Sequence, residues 1–182
     1  MTEKAEIMDG AAMNRAIARI CYEIIERNRG AENLCVIGVL RRGAVLARRM
    51  AEKIGQIEGI MPPVGDLDIA LYRDDRDTSD TDKSQISFSV EGRKVILVDD
   101  VLYTGRSARA AIDAIMDRGR PVNIQLAVLI DRGHRELPLR SDYTGKNLPT
   151  SSSEVVKVMV EDYDGVNRVA IFTTEEKEGE AQ

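Results

Sequence analysis

One segment constrains the fold of this chain more than any other part of its sequence. Its residues are Val95, Ile96, Leu97, Val98, Asp99, Asp100, Val101, Leu102, Tyr103, Thr104, Gly105, Arg106 and Ser107. The short apolar run at its start predicts a strand buried on both faces of a sheet. The glycine that follows predicts a tight turn into a helix. A buried strand leading into a helix is typical of α/β proteins with a parallel sheet.

The polar residues of this segment indicate a ligand. Backbone N–H groups at the start of a helix are unpaired and form an anion site, and Gly105 lets a phosphate approach them. Carboxylates at Asp99 and Asp100 would repel phosphate but suit sugar hydroxyls or the water shell of a magnesium ion. The segment therefore predicts a ribose-phosphate site at the carboxyl edge of the sheet. The alternative, a capped strand followed by an ordinary turn, does not require so complete a pattern.

Hydrophobic periodicity elsewhere predicts alternating strands and helices. Asp9 is predicted to cap the first helix, and Gly119 to end the third. The predicted helices cover residues 9–28, 44–54 and 107–118. The predicted strands cover residues 34–39, 66–72, 85–90, 95–98, 124–130, 155–160 and 169–172. This order predicts one α/β domain over residues 1–182, with a mainly parallel sheet covered on both faces and a disordered tail at about 175–182.

Composition narrows the function classes. The sequence has no apolar run long enough for a membrane span and no apolar core of a signal peptide, and Cys21 and Cys35 lack metal-binding spacing. We therefore expect a cytoplasmic protein with two buried thiols. The net charge of −5 gives no overall attraction to nucleic acid. Any RNA site must be a local basic surface.

The segment at 95–107 closely resembles the PRPP-binding motif of type I phosphoribosyltransferases. Residues 68–75, 125–138 and 142–150 resemble one subfamily, the PyrR regulators of pyrimidine operons, which are also uracil phosphoribosyltransferases. The similarity extends from about Ile7 to Phe172. It implies the type I fold, a mainly parallel sheet flanked by helices with a small hood. It also implies a magnesium-dependent reaction in which uracil and PRPP give UMP and diphosphate.

The resemblance implies roles for individual residues. Asp99, Asp100 and Arg42 would be catalytic, with the two acids reaching magnesium through water. The pyrophosphate loop would be Leu40, Arg41, Arg42 and Gly43. Uracil would lie near Ile130, Asp131, Arg132 and Gly133. The alternative for Arg41 and Arg42 is a solvated helix start.

Two long polar stretches are predicted to be functional loops. Residues 73–83 contain five aspartates and almost nothing apolar, and they match the family's mobile lid. Arg73 is the predicted substrate contact of that lid. Residues 131–153 are punctuated by glycine and proline, and a loop of that length is usually functional.

The resemblance also implies regulation through mRNA. RNA would bind a basic face shared by a homodimer or larger homo-oligomer, with UMP and UTP as effectors. The residues assigned to it are Arg19, Arg27, His134, Arg140 and Lys146. The alternative for His134 is a surface histidine in a basic loop. Attenuating members typically have Thr, His and Thr where this chain has Ala18, Tyr22 and Arg41.

Two alternative functions remain open at this point. One is a non-catalytic, nucleotide-sensing RNA regulator on the same scaffold. The other is a purine phosphoribosyltransferase, although purine enzymes tend to have a different acidic pair or loop. Formation of UMP from uracil and PRPP distinguishes the first alternative from an active enzyme, and turnover of hypoxanthine or guanine would establish the second.

Overall fold

Strands from the middle and from the two ends of the chain build separate sheets. In the computed structural model, which describes residues 1–75 and 81–174, the strands are β1 (Thr2–Met8), β2 (Leu34–Val39), β3 (Val64–Leu67), β4 (Lys94–Leu102), β5 (Asn123–Asp131), β6 (Tyr143–Asn147), β7 (Glu154–Met159) and β8 (Arg168–Thr173). The helices are α1 (Gly10–Asn28), α2 (Arg42–Glu58), α3 (Arg106–Met116) and α4 (Glu161–Asp164), with a 3-10 turn at Ala70–Tyr72.

The central sheet has the order β3-β2-β4-β5-β6, and every neighbouring pair in it is parallel. The predicted parallel α/β architecture is confirmed. Because the strands are parallel, their carboxyl ends meet at one edge, where ligands of such sheets bind. β4 occupies the middle position, so the residues that follow it lie at the centre of that edge.

Side chains of β4 alternate between two apolar cores. Ile96 and Val98 pack with α1 and α2, whereas Val95 and Leu97 pack with α3 on the opposite face. All four side chains are fully buried. Burial of a large apolar side chain contributes about 1.5–3 kcal/mol, so the strand that carries the predicted site is firmly held.

The predicted cap of α1 is confirmed. Asp9 Oδ1 accepts a hydrogen bond of 2.7 Å from the Ala12 N–H, which satisfies one of the unpaired donors at the helix start. Met13, Ile17, Ile20 and Ile24 form the buried stripe expected from their spacing. The two cysteines are free and buried, as predicted.

The hood is an antiparallel sheet of order β1-β8-β7, built from the beginning and end of the described chain. The sequence did not predict β1, whose residues are mostly exposed and include Glu3, Lys4 and Glu6. Its strand conformation comes from pairing with β8. Residues 175–182, predicted to be a disordered tail, lie outside the described residues.

Two predicted strands are wrong in whole or in part. The strand predicted over 66–72 ends at Leu67, because Asp68 Oδ1 accepts the Ala70 N–H at 3.0 Å and turns the chain into a 3-10 helix. The strand predicted over 85–90 is a single bridge between Gln85 and Asp66. Among the residues that the structure describes, the rest of that segment has no ladder partner, and Ile86 packs on the core instead.

The predicted ends of the other helices and strands differ from the observed ends by a few residues. The third helix ends at Met116, two residues before the predicted end. The region predicted as one long loop, 131–153, contains β6, which pairs in parallel with β5. Within residues 1–75 and 81–174, no helix is long and apolar enough to cross a bilayer.

Candidate active site

The acidic pair lies where β4 reaches the carboxyl edge of the sheet. Asp99 Oδ1 accepts the Asp100 N–H at 2.9 Å, and Asp100 Oδ1 accepts the Val101 N–H at 2.8 Å. Both residues are half-buried. Desolvation, together with the neighbouring Asp100 carboxylate, raises the pKa of Asp99 well above its usual value. The pair is therefore held by its own main chain at the edge of the core.

The start of α3 forms an anion-binding shape beside this pair. Gly105 has a φ of 93°, a conformation that favours glycine, and it places the first turn of α3 directly after β4. The Arg106 N–H donates to Thr104 Oγ1 at 3.3 Å. A cavity of about 320 Å³ is lined by Asp99 and by the chain from Val101 to Ser107. Of the predicted PRPP segment, Val95 to Val98 and Leu102 are buried in the core.

The predicted pyrophosphate loop packs directly against the acidic pair. A Cβ at Gly43 would lie 2.7 Å from the Val98 carbonyl oxygen, so only glycine permits this approach. The peptide bond between Leu40 and Arg41 is cis. Arg42 is the first residue of α2. The two segments that the sequence assigned to phosphate groups thus lie side by side.

The Arg42 guanidinium has a partner that the sequence did not indicate. Its Nη2 lies 2.6 Å from Asp164 Oδ1, and its Nε donates to Asp164 Oδ2 at 3.1 Å. The hydrogen bond to Asp164 raises the pKa of Arg42, and the charge of Asp100 adds to that shift. Arg42 therefore pairs with a hood carboxylate and directly precedes Gly43, which packs against Asp99.

The described part of the predicted lid approaches the phosphate loop. Arg73 donates to Asp75 at 2.7 Å, and both residues line the cavity. Arg106 bridges Asp74 at 2.5 Å and Glu136 at 2.6 Å. Residues 76–80 of the lid lie outside the described residues. Glu136 was not predicted, and its distance of 30 positions from Arg106 leaves no local signal.

The predicted uracil loop follows β5. Ile130 is fully buried, and Asp131 Oδ1 accepts the Gly133 N–H at 3.0 Å. Arg132 is also buried, and its guanidinium donates to Thr150 Oγ1 at 3.0 Å and to the Glu154 carbonyl at 2.7 Å. The Arg132 side chain thus fastens the segment before β7 to the end of β5.

Tyr103 joins the two loops. Its ring lies 4.0 Å from the Arg132 guanidinium and meets the His134 ring edge-on at 5.8 Å. His134 in turn lies 2.6 Å from the Thr150 carbonyl oxygen. A second cavity of about 320 Å³ opens between Asp131, His134 and Thr150. Tyr103, assigned by the sequence to phosphate, therefore faces the predicted base loop.

Comparison with known proteins decides the family. Residues 3–164 match the phosphoribosyl transferase domain family. The bifunctional protein PyrR of Acetivibrio thermocellus is 58% identical over 179 residues, covering 96% of this chain and 97% of the relative. That of Deinococcus deserti is 56% identical over 177 residues, covering 95% and 97%. The chain belongs to the PyrR family of phosphoribosyltransferases. The family predicted from the sequence is thereby confirmed.

Solved structures confirm the fold of this PyrR-family chain. The hypoxanthine phosphoribosyltransferase of Trypanosoma cruzi superposes with a TM-score of 0.74 at 16% identity, covering 95% of this chain and 98% of that one. The enzyme from Staphylococcus aureus gives 0.69 at 14% identity, covering 92% of each chain. At such low identity these structures show the type I fold alone.

The residues present fit the magnesium ion that phosphoribosyltransferases generally use with PRPP. In the described part of this PyrR-family chain, no three His, Cys, Asp or Glu side chains form a group that could hold a metal. The neighbouring carboxylates of Asp99, which lines the cavity, and Asp100 are hard oxygen donors. Magnesium keeps several waters and binds through one or two carboxylates plus substrate phosphates. This donor set suits a cation that arrives with its substrate.

Three of the five residues assigned to RNA lie where α1 meets β6, and Arg140 precedes β6. Arg19 donates to the Gly145 carbonyl at 2.5 Å, next to Lys146, and Arg27 pairs with Asp142 at 2.7 Å. Arg140 and Lys146 are exposed. His134 instead contacts Thr150 and Tyr103 beside the predicted base loop. The structure thus brings Arg19, Arg27 and Lys146 together, with Arg19 also paired with Glu23, and sets His134 apart from them by its contacts.

Proposed function

We propose that this chain transfers the phosphoribosyl group of PRPP to uracil, and that it also regulates pyrimidine genes through UMP-dependent binding of mRNA. One observation carries the enzymatic half: the Asp99–Asp100 pair, the Gly105 turn and the Gly43 loop converge at the centre of the carboxyl edge. Sugar, phosphate and diphosphate groups would each find matching partners there. The family, whose members are named bifunctional, supports both halves.

In this reaction the protein has to balance charge rather than form covalent bonds with the substrates. The bond from ribose C1 to diphosphate breaks, the bond from C1 to uracil N1 forms, and N1 loses its proton. Positive charge develops on the ribose in between, and the carboxylates of Asp99 and Asp100 would stabilise it. Arg42 would neutralise the departing diphosphate. Magnesium held through water by the two acids would add to that neutralisation.

The remaining residues would position the substrates. Thr104, Gly105 and Ser107 would hold the 5′-phosphate through N–H and hydroxyl groups at the start of α3. Backbone groups from Asp131 to Gly133 would meet the acceptor–donor–acceptor edge of uracil. The lid, with Arg73, would exclude water from the cation-like ribose.

The proposed regulation through mRNA rests on the basic residues of α1 and β6 and on Arg140, which precedes β6. Arg19, Arg27, Arg140 and Lys146 would contact RNA phosphates, and UMP or UTP in the active site would set RNA affinity. The chain would act as one domain over residues 1–182, as a homodimer or larger homo-oligomer whose basic surfaces adjoin. The free, buried thiols of Cys21 and Cys35 are consistent with the reducing cytoplasm.

Turnover of radiolabelled bases tests the enzymatic half. The purified chain is incubated with PRPP, magnesium and, separately, uracil, hypoxanthine or guanine. We expect UMP from uracil and little product from the purines. Absence of UMP would contradict the enzyme and leave the nucleotide-sensing regulator, whereas faster turnover of a purine would establish a purine enzyme.

A gel-shift titration tests the regulatory half. A transcript of the pyrimidine operon leader from the same cell is titrated with protein in the presence and absence of UMP. We expect tighter binding with UMP and none to a shuffled transcript of equal length. Equal affinity for both transcripts would contradict specific regulation.

A further inference from the structure

The four-residue helix α4 joins β7 to β8 and is fastened to α2 by two ion pairs. Asp164 pairs with Arg42 at 2.6 Å, and Asp162 pairs with Arg49 at 3.0 Å. Arg42 and Arg49 are seven positions apart on α2 and therefore lie on the same face, two turns from one another. The two pairs have the same chemistry, but only one involves a residue of the predicted pyrophosphate loop.

The Asp164 carboxylate is itself fixed. Its Oδ2 accepts the Val160 N–H at 2.8 Å, and the Asp164 N–H donates to the Val160 carbonyl at 2.7 Å. The side chain is 19% exposed, against 50% for Asp162. The hydrogen bond from Arg42 lowers the pKa of Asp164, so the carboxylate stays charged. Asp164 is thus a rigid, ionised acceptor.

The geometry leaves part of the Arg42 guanidinium available. The described hydrogen bonds to Asp164 use Nε and Nη2 in a two-point contact. A guanidinium has five N–H donors in one plane, so Nη1 and the second hydrogen of Nη2 point away from that contact. A two-point contact also fixes the plane in which these remaining donors lie.

We propose that Asp164 is a positioning residue for diphosphate recognition, acting through Arg42. The proposal rests on the proposed function, since it assigns Arg42 to the diphosphate of PRPP. A free arginine side chain loses rotational freedom when it binds an anion, and Asp164 orders it beforehand. Affinity for PRPP and for released diphosphate should therefore depend on a residue of the hood that touches neither.

The experiment compares Asp164→Asn with the matched variant Asp162→Asn, which breaks the neighbouring ion pair on the same turn. An amide oxygen at position 164 can still accept the Val160 N–H, so the turn is retained. We expect Asp164→Asn to raise the KM for PRPP and the inhibition constant of diphosphate about three- to tenfold. Its kcat should stay within about twofold, and Asp162→Asn should leave all three constants near wild type.

A double-mutant cycle excludes a merely structural role. In an Arg42→Ala background, Asp164→Asn should not change the KM for PRPP further, because the residue through which it acts is gone. Equal effects of Asp164→Asn and Asp162→Asn, or an unchanged KM, would overturn the proposal. If Asp164→Asn does not fold, Asp164→Ser takes its place, and a wild-type KM in that variant overturns it equally.

Calorimetry with magnesium diphosphate separates this proposal from the proposed function. It measures anion affinity without turnover, in wild type and in Asp164→Asn. If wild type forms no UMP, the enzymatic proposal fails. A lower affinity of the variant for diphosphate would still support the role of Asp164. Equal diphosphate affinity in both proteins would overturn that role.

Discussion

The carboxyl ends of β4 and β5 lie side by side but use their polar groups differently. They touch where the Arg132 N–H donates to the Leu102 carbonyl at 3.0 Å. Near the end of β4, Asp99 and Asp100 each accept a hydrogen bond from the next N–H in the chain. After β5, Arg132 donates across 22 positions to the Glu154 carbonyl. The acidic pair is satisfied by its own main chain, whereas Arg132 holds distant segments together.

This difference predicts which residues affect turnover and which affect the stability of the fold. Carboxylates that bond only their own main chain remain available to a ligand, and their replacement should affect turnover more than folding. A buried guanidinium that satisfies distant acceptors contributes to folding, and its removal leaves those acceptors unpaired. The four predictions below test this separation, starting with the largest expected effect.

Asp100→Asn should reduce turnover with uracil and PRPP by roughly 10²- to 10³-fold. The amide keeps the acceptor for the Val101 N–H but removes the charge that would stabilise the ribose cation. The unfolding free energy, measured by urea denaturation, should change by less than about 1 kcal/mol. A collapse of the fold would mean that the acid is structural, and the acidic pair and Arg132 would no longer differ in this respect.

Arg132→Met should lower the unfolding free energy by about 2–3 kcal/mol. The methionine fills the volume but leaves the Thr150 and Glu154 acceptors without their donor. Arg140→Met, at an exposed position of the same region, is the matched control and should change stability by less than about 0.5 kcal/mol. If stability is unchanged while the KM for uracil rises, Arg132 contacts the base, as the sequence predicted.

Asp99→Asn should stabilise the protein in a pH-dependent manner. Burial and the Asp100 carboxylate raise the folded-state pKa of Asp99 above its usual value of 3.8. Folding therefore disfavours ionisation: the cost is absent below the usual pKa, grows as pH rises towards the folded-state pKa, and is constant above it. The variant should gain unfolding free energy at neutral pH, and the gain should vanish in acid. Urea denaturation across this range checks it, and a gain independent of pH would contradict the assignment.

Arg140→Ala and Lys146→Ala should each lower the slope of RNA affinity against salt by about 0.7–0.9. Both side chains are exposed beyond the β5 loop, so stability and uracil turnover should not change. Arg120→Ala, exposed after α3, is the control and should leave the slope unaltered. Gel shifts at several salt concentrations measure it, and an unchanged slope in the first two variants would remove those residues from the RNA surface.

The parts predicted from sequence are those whose causes are local. The apolar run of β4, the Asp9 cap and the Gly105 turn depend on neighbours within a few positions. The acidic pair and the phosphate loop are adjacent in the chain, so one segment was enough to predict them and the family. The comparison with relatives confirms the family and the structure confirms the fold, whereas the site assigned to this segment and the roles of single residues remain predictions.

Tertiary structure decided what depends on distant partners. β1 and β6 are polar strands whose conformation comes from pairing with β8 and β5, respectively. Residues 85–90 alternate like a strand, but within the described residues only Gln85 forms a bridge to another strand. The pair of Arg42 with Asp164 joins residues 122 positions apart, and no local pattern encodes it. Hydrogen-bond and charge partners are chosen by proximity in the folded chain, and periodicity in sequence carries no information about them.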